Sequence, residues 1–406
     1  MNRSFWYIAI SGLCVLFVGL GLCRFAYTAI MPSLIHQGWV SLAGAGYIGT
    51  SNLLGYLLAV YLGKKATRYY SLHTLIKFSL ILAIISLALC AVHWGFLWLA
   101  IWRFFAGIAG ALLMIMTPAA VLKHVPVAYK GRAAGVVFTG IGLGIIVSGF
   151  VLPIFSKHSV ALTWIVTALL ALLASLFAWP AFRAQNALIH SENKKIDNAS
   201  MVVDDHTRKA LWLMSLAYLA YGIGMVPHTL FLVAYVNHAF KLSVVISGIF
   251  WSLFGVGAAI GPLCIGMMAD KIGYYKALLY AFGAASLGIF IMVIYPSIIL
   301  CCISSFIMGM LLPAIPSLIS SRILELVGLN NYPHYWGHTT LYCAISQAAA
   351  AYVMSYLLHL NGLYLICFII ADIIFFCGLI AIFYSKVTVL ESTQGQQRSA
   401  GELPTG

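Results

Sequence analysis

Acidic side chains are scarce in this chain of 406 residues. It has 9 Asp and Glu residues against 22 Lys and Arg residues, and only 8% of its residues are charged. No Asp or Glu precedes Glu192. A soluble globule of this length needs far more polar surface, whereas 63% of these residues are hydrophobic. The composition excludes a soluble protein and predicts an integral membrane protein.

Long polar intervals are also few. Apolar runs of about 20 residues or more, separated by short polar breaks, match α-helices that cross a hydrocarbon core of about 30 Å. They do not match the alternating segments of about 10 residues that build an outer-membrane barrel. We predict an all-α polytopic fold with about twelve spans, centred near Phe17, Asn52, Ile81, Ile108, Gly142, Leu170, Gly222, Gly255, Gly283, Met310, Ser346 and Ile373.

The longest hydrophilic stretch divides these spans six and six. We predict an N-terminal six-helix bundle at 1–181, a cytoplasmic linker at 182–209 and a C-terminal six-helix bundle at 210–386. Residues 387–406 are rich in Gln, Ser, Gly and Thr and have no apolar period. We expect this tail to be disordered and cytoplasmic.

Several chemical functions lack their usual signals. All nine cysteines fall within predicted spans, which indicates apolar fillers and neither disulfides nor metal ligands. No Walker-type phosphate loop occurs, so we expect no direct use of ATP and no cofactor. A nucleic-acid partner would need a basic soluble domain, which the sequence does not contain.

Basic residues are unevenly distributed along the predicted bundle. Lys157 and Lys241 fall at one end of it, and the remaining Lys and Arg residues in loops fall at the other. Because basic loops are retained in the cytoplasm, we predict cytoplasmic N- and C-termini. The net charge of +13 is then a topology signal and an attraction to anionic lipid headgroups.

The two halves contain related segments. "GLGLCRF" from Gly19 aligns with "GIGMVPH" from Gly222, which places His228 close to the counterpart of Arg24. The fifth span aligns with the eleventh, and the second with the eighth, each at a constant offset. These matches predict a duplicated six-helix unit with a central site between the halves near the membrane midplane.

Two short motifs carry a family resemblance. "GMMADKIGYYK", from Gly266 to Lys276, resembles the G-x-x-x-D-[RK]-x-G-x-x-[RK] loop signature of the major facilitator superfamily, and "RFFAG", from Arg103, resembles its fourth-helix motif. "RFAYT", "YGIGMVPHT" and "WSLFG" are similar to the YbfB/YjiJ-like branch of that superfamily. The resemblance implies two pseudo-symmetric bundles that form a secondary transporter in the bacterial inner (plasma) membrane.

Strongly charged side chains within the predicted spans are Arg24, Arg103 and Asp372. Each costs about 2.5–3.5 kcal/mol at a helix centre, so each is a candidate functional residue. Arg24 and Arg103 lie at matched depth, roughly 8 Å outside the midplane at about 1.5 Å per residue. Together they suit an anionic group, although either guanidinium could instead bond backbone carbonyls or reach the interface.

Two residues are candidates for proton coupling. His228 titrates in the physiological range in water, but it could simply repair the helix that Pro227 interrupts. Asp372 lies in the twelfth span, which the resembled fold places at the periphery. The alternative is therefore that Asp372 is a buried structural residue without a role in proton coupling.

The resemblance also implies a set of uncharged site residues. Helices two, eight and eleven of that fold face the central cavity, which makes Tyr47, Asn52, Trp251 and Gln347 candidate substrate contacts. The alternative for Asn52 and Gln347 is hydrogen bonding between helices. The loop signature, with Gly266, Asp270, Lys271, Gly273 and Lys276, implies a gate in which Asp270 bonds to the start of helix eleven.

These expectations combine into a secondary transporter that moves a small anionic or zwitterionic organic solute by alternating access. We expect a monomer in the lipid bilayer, with protons as the coupling ion. A drug, metabolite or siderophore efflux antiporter is the alternative. A membrane-embedded metal enzyme using His334 and His338 is the rival from another class, and a receptor without transport activity is a third.

Overall fold

Twelve long helices make up the part of the chain that the structure describes. This structure is a computed structural model, and it describes residues 3–125, 129–182, 205–361 and 364–401. The helices are α1 Trp6–His36, α2 Leu42–Tyr69, α3 Leu72–Leu89, α4 Phe96–Leu122, α5 Arg132–Ser156, α6 Val160–Phe182, α7 Asp205–Phe240, α8 Val244–Ile272, α9 Tyr274–Ile294, α10 Ile298–Gly328, α11 His334–Leu360 and α12 Tyr364–Gly401.

Eleven of these helices are both long and apolar enough to cross a membrane. The remaining one, α2, has 28 residues, about 42 Å at 1.5 Å per residue, so its length is sufficient. Its glycines and the polar run from Thr50 to Asn52 make it less apolar than its neighbours. The predicted all-α membrane fold is confirmed.

Short polar residues and glycines set the helix ends. Ser41, Ser71, Ser159 and Ser243 each accept a hydrogen bond from the backbone N–H three residues later. This arrangement satisfies a donor that the first helical turn leaves free. Between α8 and α9 the chain turns at Gly273, whose φ of +85° is open to glycine and strained for other residues.

The six helices that contain the sequence repeats also form contacts between the two halves. In the first half α2 packs against α4 and α1 against α5, and in the second half α8 packs against α10 and α7 against α11. Between the halves, α5 packs along α8, α2 along α11, and α1 meets α7. A two-fold operation that exchanges the halves maps α5–α8 onto α2–α11 and the pairs within one half onto those within the other, and it maps α1–α7 onto itself.

The first helix of each half contains a π-helical segment. In α1 it runs from Phe17 to Phe25 and in α7 from Pro227 to Phe231. Pro227 lacks a backbone N–H and clashes with the preceding turn, which explains the irregularity in α7. Such widened turns are frequent at functional sites, and Arg24 lies in the first of them.

Two predicted segments need separate comment. The predicted linker falls mostly on residues 183–204, which lie outside the described residues. Residues 387–401, within the predicted disordered tail, form the helical end of α12. This tail contains the helix formers Glu, Gln, Arg and Ala, and its first proline is Pro404.

Candidate functional site

Three predicted site residues line one narrow cavity between α1, α2, α4 and α7. They are Arg24, Asn52 and Arg103, and the other lining residues are Tyr27, Gly49, Leu53, Thr229 and Leu230. The first three come from the first half of the chain and Thr229 from the second. The cavity therefore lies where the two halves meet.

Arg24 directs an unpaired guanidinium into the space between the halves. Its side chain is half-buried and makes no hydrogen bond to any described residue. Its Cζ atom lies 5.1 Å from the ring centroids of Phe25 and Tyr56, a cation–π distance. No carboxylate is among the groups that interact electrostatically with it, which are Tyr56, Tyr218, Tyr221 and Cys343.

Arg103 has the opposite environment. It is 1% exposed, and its two terminal nitrogens donate to the backbone carbonyls of Cys23 at 2.7 Å and Arg24 at 3.3 Å. Its guanidinium also lies over Tyr27, at 4.8 Å from the ring centroid. These contacts match the alternative in which the arginine bonds backbone carbonyls.

Asn52 supports the same helix segment. Its amide nitrogen donates to the carbonyls of Cys23 at 3.2 Å and Arg103 at 2.8 Å. Two side chains from α2 and α4 therefore supply hydrogen bonds to the end of the π-helical segment of α1. In a membrane, neighbouring side chains satisfy backbone groups that an irregular helix leaves free.

The other predicted substrate contacts lie elsewhere. Trp251 is fully buried, donates to Ser148 Oγ at 3.1 Å and so joins α8 to α5. Tyr47 packs against Tyr352 of α11 with ring centroids 5.4 Å apart. Gln347 makes no hydrogen bond to a described residue and follows Cys343 by one helical turn, which places both on one face of α11.

The two proton-coupling candidates are both outside the cavity. His228 is fully buried within the second half, with its Nε2 2.9 Å from Ser304 Oγ and its ring against Phe368 of α12. Its Nδ1 has no partner among the described atoms. Asp372 accepts a hydrogen bond from Ser286 of α9 at 2.6 Å, consistent with a place among the peripheral helices.

The loop signature forms the turn between α8 and α9. Gly273 supplies the positive φ described above, and the backbone N–H of Gly273 donates to Ala269 at 2.8 Å. Asp270, Lys271 and Lys276 are exposed. Within the described residues, Asp270 has no hydrogen-bond or ion-pair partner, so the implied bond to α11 is not formed in this conformation.

The halves are joined at one end of the bundle. Four hydrogen bonds between described residues cross from one half to the other. All four lie away from the end of the bundle that carries most Lys and Arg residues, which we call the basic end. They join Thr28 to Thr229, His36 to Asn237, Ser148 to Trp251 and Ile146 to Ser252.

Toward the basic end the same helices lack close contacts. An added Cβ at Gly135 of α5 or at Gly266 of α8 would meet no atom within 4 Å. Farther along, an added Cβ at Gly149 of α5 would overlap atoms of Gly248 and Ser252 of α8. The seam between α5 and α8 is therefore closed as far as Gly142, which also contacts α8, and open near the basic end.

Known proteins match nearly all of the membrane region. A profile of the family described as "Uncharacterised MFS-type transporter YbfB" matches residues 16–382. This chain belongs to that family. The expected membership of the major facilitator superfamily is confirmed, and the chain is an integral membrane transporter and not an enzyme.

Relatives within the superfamily are distant in sequence. "Uncharacterized MFS-type transporter YceJ" from Bacillus subtilis (strain 168) is 24% identical over 288 residues, which cover 69% of this chain and 70% of that protein. A bacterial homolog of the human lysosomal transporter Spinster, in an inward-facing and unoccupied conformation, has a TM-score of 0.71 at 14% identity, over 96% of this chain and 98% of its own. The nucleoside transporter NupG has a TM-score of 0.73 at 12% identity, over 94% and 99%.

The rival enzyme function is therefore wrong. His334 and His338 do approach each other, with ring centroids 4.4 Å apart, but His338 Nδ1 is 2.8 Å from the carbonyl oxygen of His334. Among the described residues, no group of three or more His, Cys, Asp or Glu side chains could hold a metal ion.

Several residues around Arg24 were not predicted from the sequence, among them Phe25 beside it in the chain. Tyr56 follows Asn52 by one turn of α2, and Cys343 precedes Gln347 by one turn of α11. The helical spacing of four residues could have identified both of them. Tyr218 and Tyr221 have no such link to a predicted site residue, because only the packing of α7 brings them to Arg24.

Proposed function

We propose that this transporter moves a small anionic or zwitterionic organic solute across the bacterial inner membrane by alternating access. The observation that carries this proposal is the Arg24 side chain. It is a permanent cation at membrane depth, half-buried between the two halves, with no carboxylate and no hydrogen-bond partner among the described residues. A carboxylate of the substrate would supply both the negative charge and the hydrogen-bond acceptors, through a bidentate pair with the guanidinium.

Arg103 and Asn52 act in this proposal as positioning residues. They hold the carbonyls of Cys23 and Arg24, and so fix the backbone from which the Arg24 side chain extends. Gln347, with its free amide, is the proposed contact from the second half. Trp251 and Tyr47 contribute by joining the halves at the far end.

Proton coupling through His228 is part of the proposal. Nε2 of His228 is within hydrogen-bond distance of Ser304 Oγ, and Nδ1 has no partner among the described residues. Protonation of His228 would require a change in the packing of α7 against α10 and α12. Asp372 is the second candidate, since its bond to Ser286 occupies one of its two oxygens.

The two halves, 1–181 and 210–386, would move as rigid units within a monomer, with both termini in the cytoplasm. In this orientation the basic end faces the cytoplasm and the structure is inward-open. Asp270 would then bond to the start of α11 when the basic end closes.

The test is transport by reconstituted protein in liposomes, with and without a pH gradient. Screening candidate anions by thermal shift of the purified protein provides the substrate, because a ligand of the folded state raises its unfolding temperature. Arg24→Gln should abolish the shift and at least 90% of the flux, while Arg24→Lys retains part of both because it keeps the charge but loses the bidentate geometry.

A matched control is Arg132→Gln, which removes an exposed arginine at the basic end and should transport normally. Unchanged anion binding in Arg24→Gln would contradict the proposed site. The direction of flux that the pH gradient drives separates uptake from efflux antiport, and flux that ignores the gradient would contradict proton coupling.

A further inference from the structure

Two arginines line the narrow cavity between α1, α2, α4 and α7. Arg103 is 1% exposed and Arg24 is half-buried, so water solvates neither charge fully. Nη2 of Arg103 donates at 3.3 Å to the backbone carbonyl of Arg24, which keeps the two residues close together. Two permanent cations therefore share one cavity at membrane depth.

The first half of the chain has no acidic side chain that could neutralise these cations, because no Asp or Glu precedes Glu192. In the second half, Asp372 accepts a hydrogen bond from Ser286 and lies among the peripheral helices. Carbonyl oxygens and the ring of Tyr27 stabilise the Arg103 guanidinium, but they carry no net charge. Arg24 and Arg103 thus have no counter-charge among the described residues.

Another buried arginine of this protein has a carboxylate partner. Arg322 is 9% exposed, and its Nη1 lies 2.6 Å from Oε2 of Glu325, three residues later in α10. Burying an arginine without such a partner is costly, because the charge loses its hydration and gains nothing in return. Arg24 and Arg103 also repel each other across a space of low dielectric constant. A small anion between them reduces both costs.

The cavity has the size and the free donors for one such anion. Its volume is about 20 Å³. A space of about 10–15 Å³, measured in the same way, holds one water molecule. A chloride ion is only slightly larger than water, whereas the carbon skeleton of an organic acid does not fit. The guanidinium of Arg24 and the Nε of Arg103 have no hydrogen-bond acceptor among the described residues.

We propose that this cavity binds one chloride ion, or a monovalent inorganic anion of similar size, between the guanidinium groups of Arg24 and Arg103. The ion supplies the counter-charge that the first half of the chain lacks. Chloride binding goes beyond the proposed function, because it needs no organic substrate. Both ligands pair with Arg24, so the acid group of an organic substrate takes the place of chloride, and this exchange does rest on the proposed function.

The experiment measures chloride binding to the purified full-length protein directly. Equilibrium dialysis with radioactive chloride gives the number of ions bound and their Kd. The buffer contains HEPES as the balancing anion, because its ring is too large for the cavity. We expect saturable binding of one ion per chain. The unfolding temperature should rise as chloride replaces HEPES at constant ionic strength, since the ion binds the folded state.

Variants locate the ion. Arg24→Gln removes one cation and leaves the hydrogen bonds of Arg103 in place, so it should weaken chloride binding by about 10- to 100-fold, the usual contribution of one charged hydrogen bond. Arg103→Lys keeps the second cation with fewer donors and should retain part of the affinity. The matched control is Arg132→Gln, which removes an exposed arginine at the basic end and should bind chloride as tightly as the unmodified protein does.

The outcomes separate chloride binding from the proposed function. If the unmodified protein shows no saturable chloride binding at millimolar concentration, or if Arg24→Gln binds chloride with unchanged affinity, the chloride site is wrong. Neither result affects the organic-anion site, which is tested with organic acids in the same buffer. If Arg24→Gln loses chloride binding but keeps its thermal shift with an organic acid, the chloride site stands and the proposed substrate anchor falls.

Discussion

Arg24 and Arg103 have the same side chain and lie on neighbouring helices, yet their surroundings give them different tasks. The two terminal nitrogens of the buried Arg103 guanidinium donate to carbonyls of α1, whereas its Nε has no partner among the described residues. The guanidinium of Arg24 has aromatic rings beside it and no hydrogen-bond acceptor among the described residues. One arginine holds the helix in shape, and the other is available to a ligand.

Replacing Arg103 tests this division at the level of stability. Arg103→Leu removes two hydrogen bonds of a charged donor and should lower the free energy of unfolding by about 1–3 kcal/mol. The lower part of that range applies if the bonds resemble those measured in membrane bundles, at about 0.6 kcal/mol each. Thermal unfolding in detergent measures the change.

Arg24→Leu is the comparison for that experiment. It removes no hydrogen bond to a described residue, so it should lower the free energy of unfolding less than Arg103→Leu does. If Arg103→Leu and Arg24→Leu unfold at the same temperature, the contacts of Arg103 with the carbonyls contribute nothing to stability.

At the scale of elements, close helix contacts recur in both halves. An added Cβ at Gly107 of α4 would overlap the carbonyl oxygen of Asn52 of α2. An added Cβ at Gly309 of α10 would overlap the carbonyl oxygen of Phe254 of α8 in the same way. Small residues allow membrane helices to approach closely, and the α2–α4 contact also carries the Asn52 bond to the Arg103 carbonyl.

Adding a methyl group at this contact should force the helices apart. Gly107→Ala should destabilise the protein by about 1–3 kcal/mol, the usual cost of overpacking, and should weaken anion binding because Asn52 and Arg103 shift with their helices. Gly135→Ala is the matched control, because its new methyl group meets no atom within 4 Å. Thermal unfolding and the anion-dependent thermal shift measure the two effects.

A protein in which Gly107→Ala and Gly135→Ala unfold alike would contradict the close contact. If Gly107→Ala unfolds at a lower temperature but keeps full anion affinity, the α2–α4 contact stabilises the protein without affecting anion binding.

At the scale of the whole molecule, the two halves contact each other at the far end and are apart at the basic end. Hydrogen bonds such as that between His36 and Asn237, at 2.8 Å, lie beyond Arg24. Asp270 at the basic end is exposed and has no partner in the described part of the chain. The arrangement is one of the two end states that alternating access requires.

Cysteine pairs test which end is closed. Ser355 packs against Gly46, where an added Cβ would lie 2.7 Å from the Ser355 Cβ, so a small relaxation reaches the 3.5–4.5 Å of a disulfide. In a background with the nine native cysteines replaced, Gly46→Cys with Ser355→Cys should cross-link under mild oxidation and block transport. A reducing agent should restore it.

The comparison pair is Gly135→Cys with Gly266→Cys, on α5 and α8 near the basic end. Neither position has an atom within 4 Å of its added Cβ, so this pair should cross-link more slowly. Faster cross-linking at the basic end than at the far end would contradict the conformation described here. Gel mobility measures both rates.

The sequence by itself determined the class of the protein, its helices and its most conspicuous candidate residue. Hydropathy is a local property, so long apolar runs identify spans without knowledge of their neighbours. Burying an arginine within such a run costs free energy wherever the helix packs. The sequence therefore identified both Arg24 and Arg103 as candidate functional residues. Short repeats such as that between Gly19 and Gly222 also predicted which helices are equivalent.

Only the tertiary structure decided how the two arginines differ and which residues complete the site. The hydrogen-bond partners of Arg103 are on α1, about 80 residues away, and the groups that interact electrostatically with Arg24 include Tyr218 and Tyr221 on α7. Contacts of that kind depend on how helices are placed against one another, which no local pattern encodes. For the same reason the sequence could not predict which end of the bundle is closed, because this depends on how α5 packs against α8.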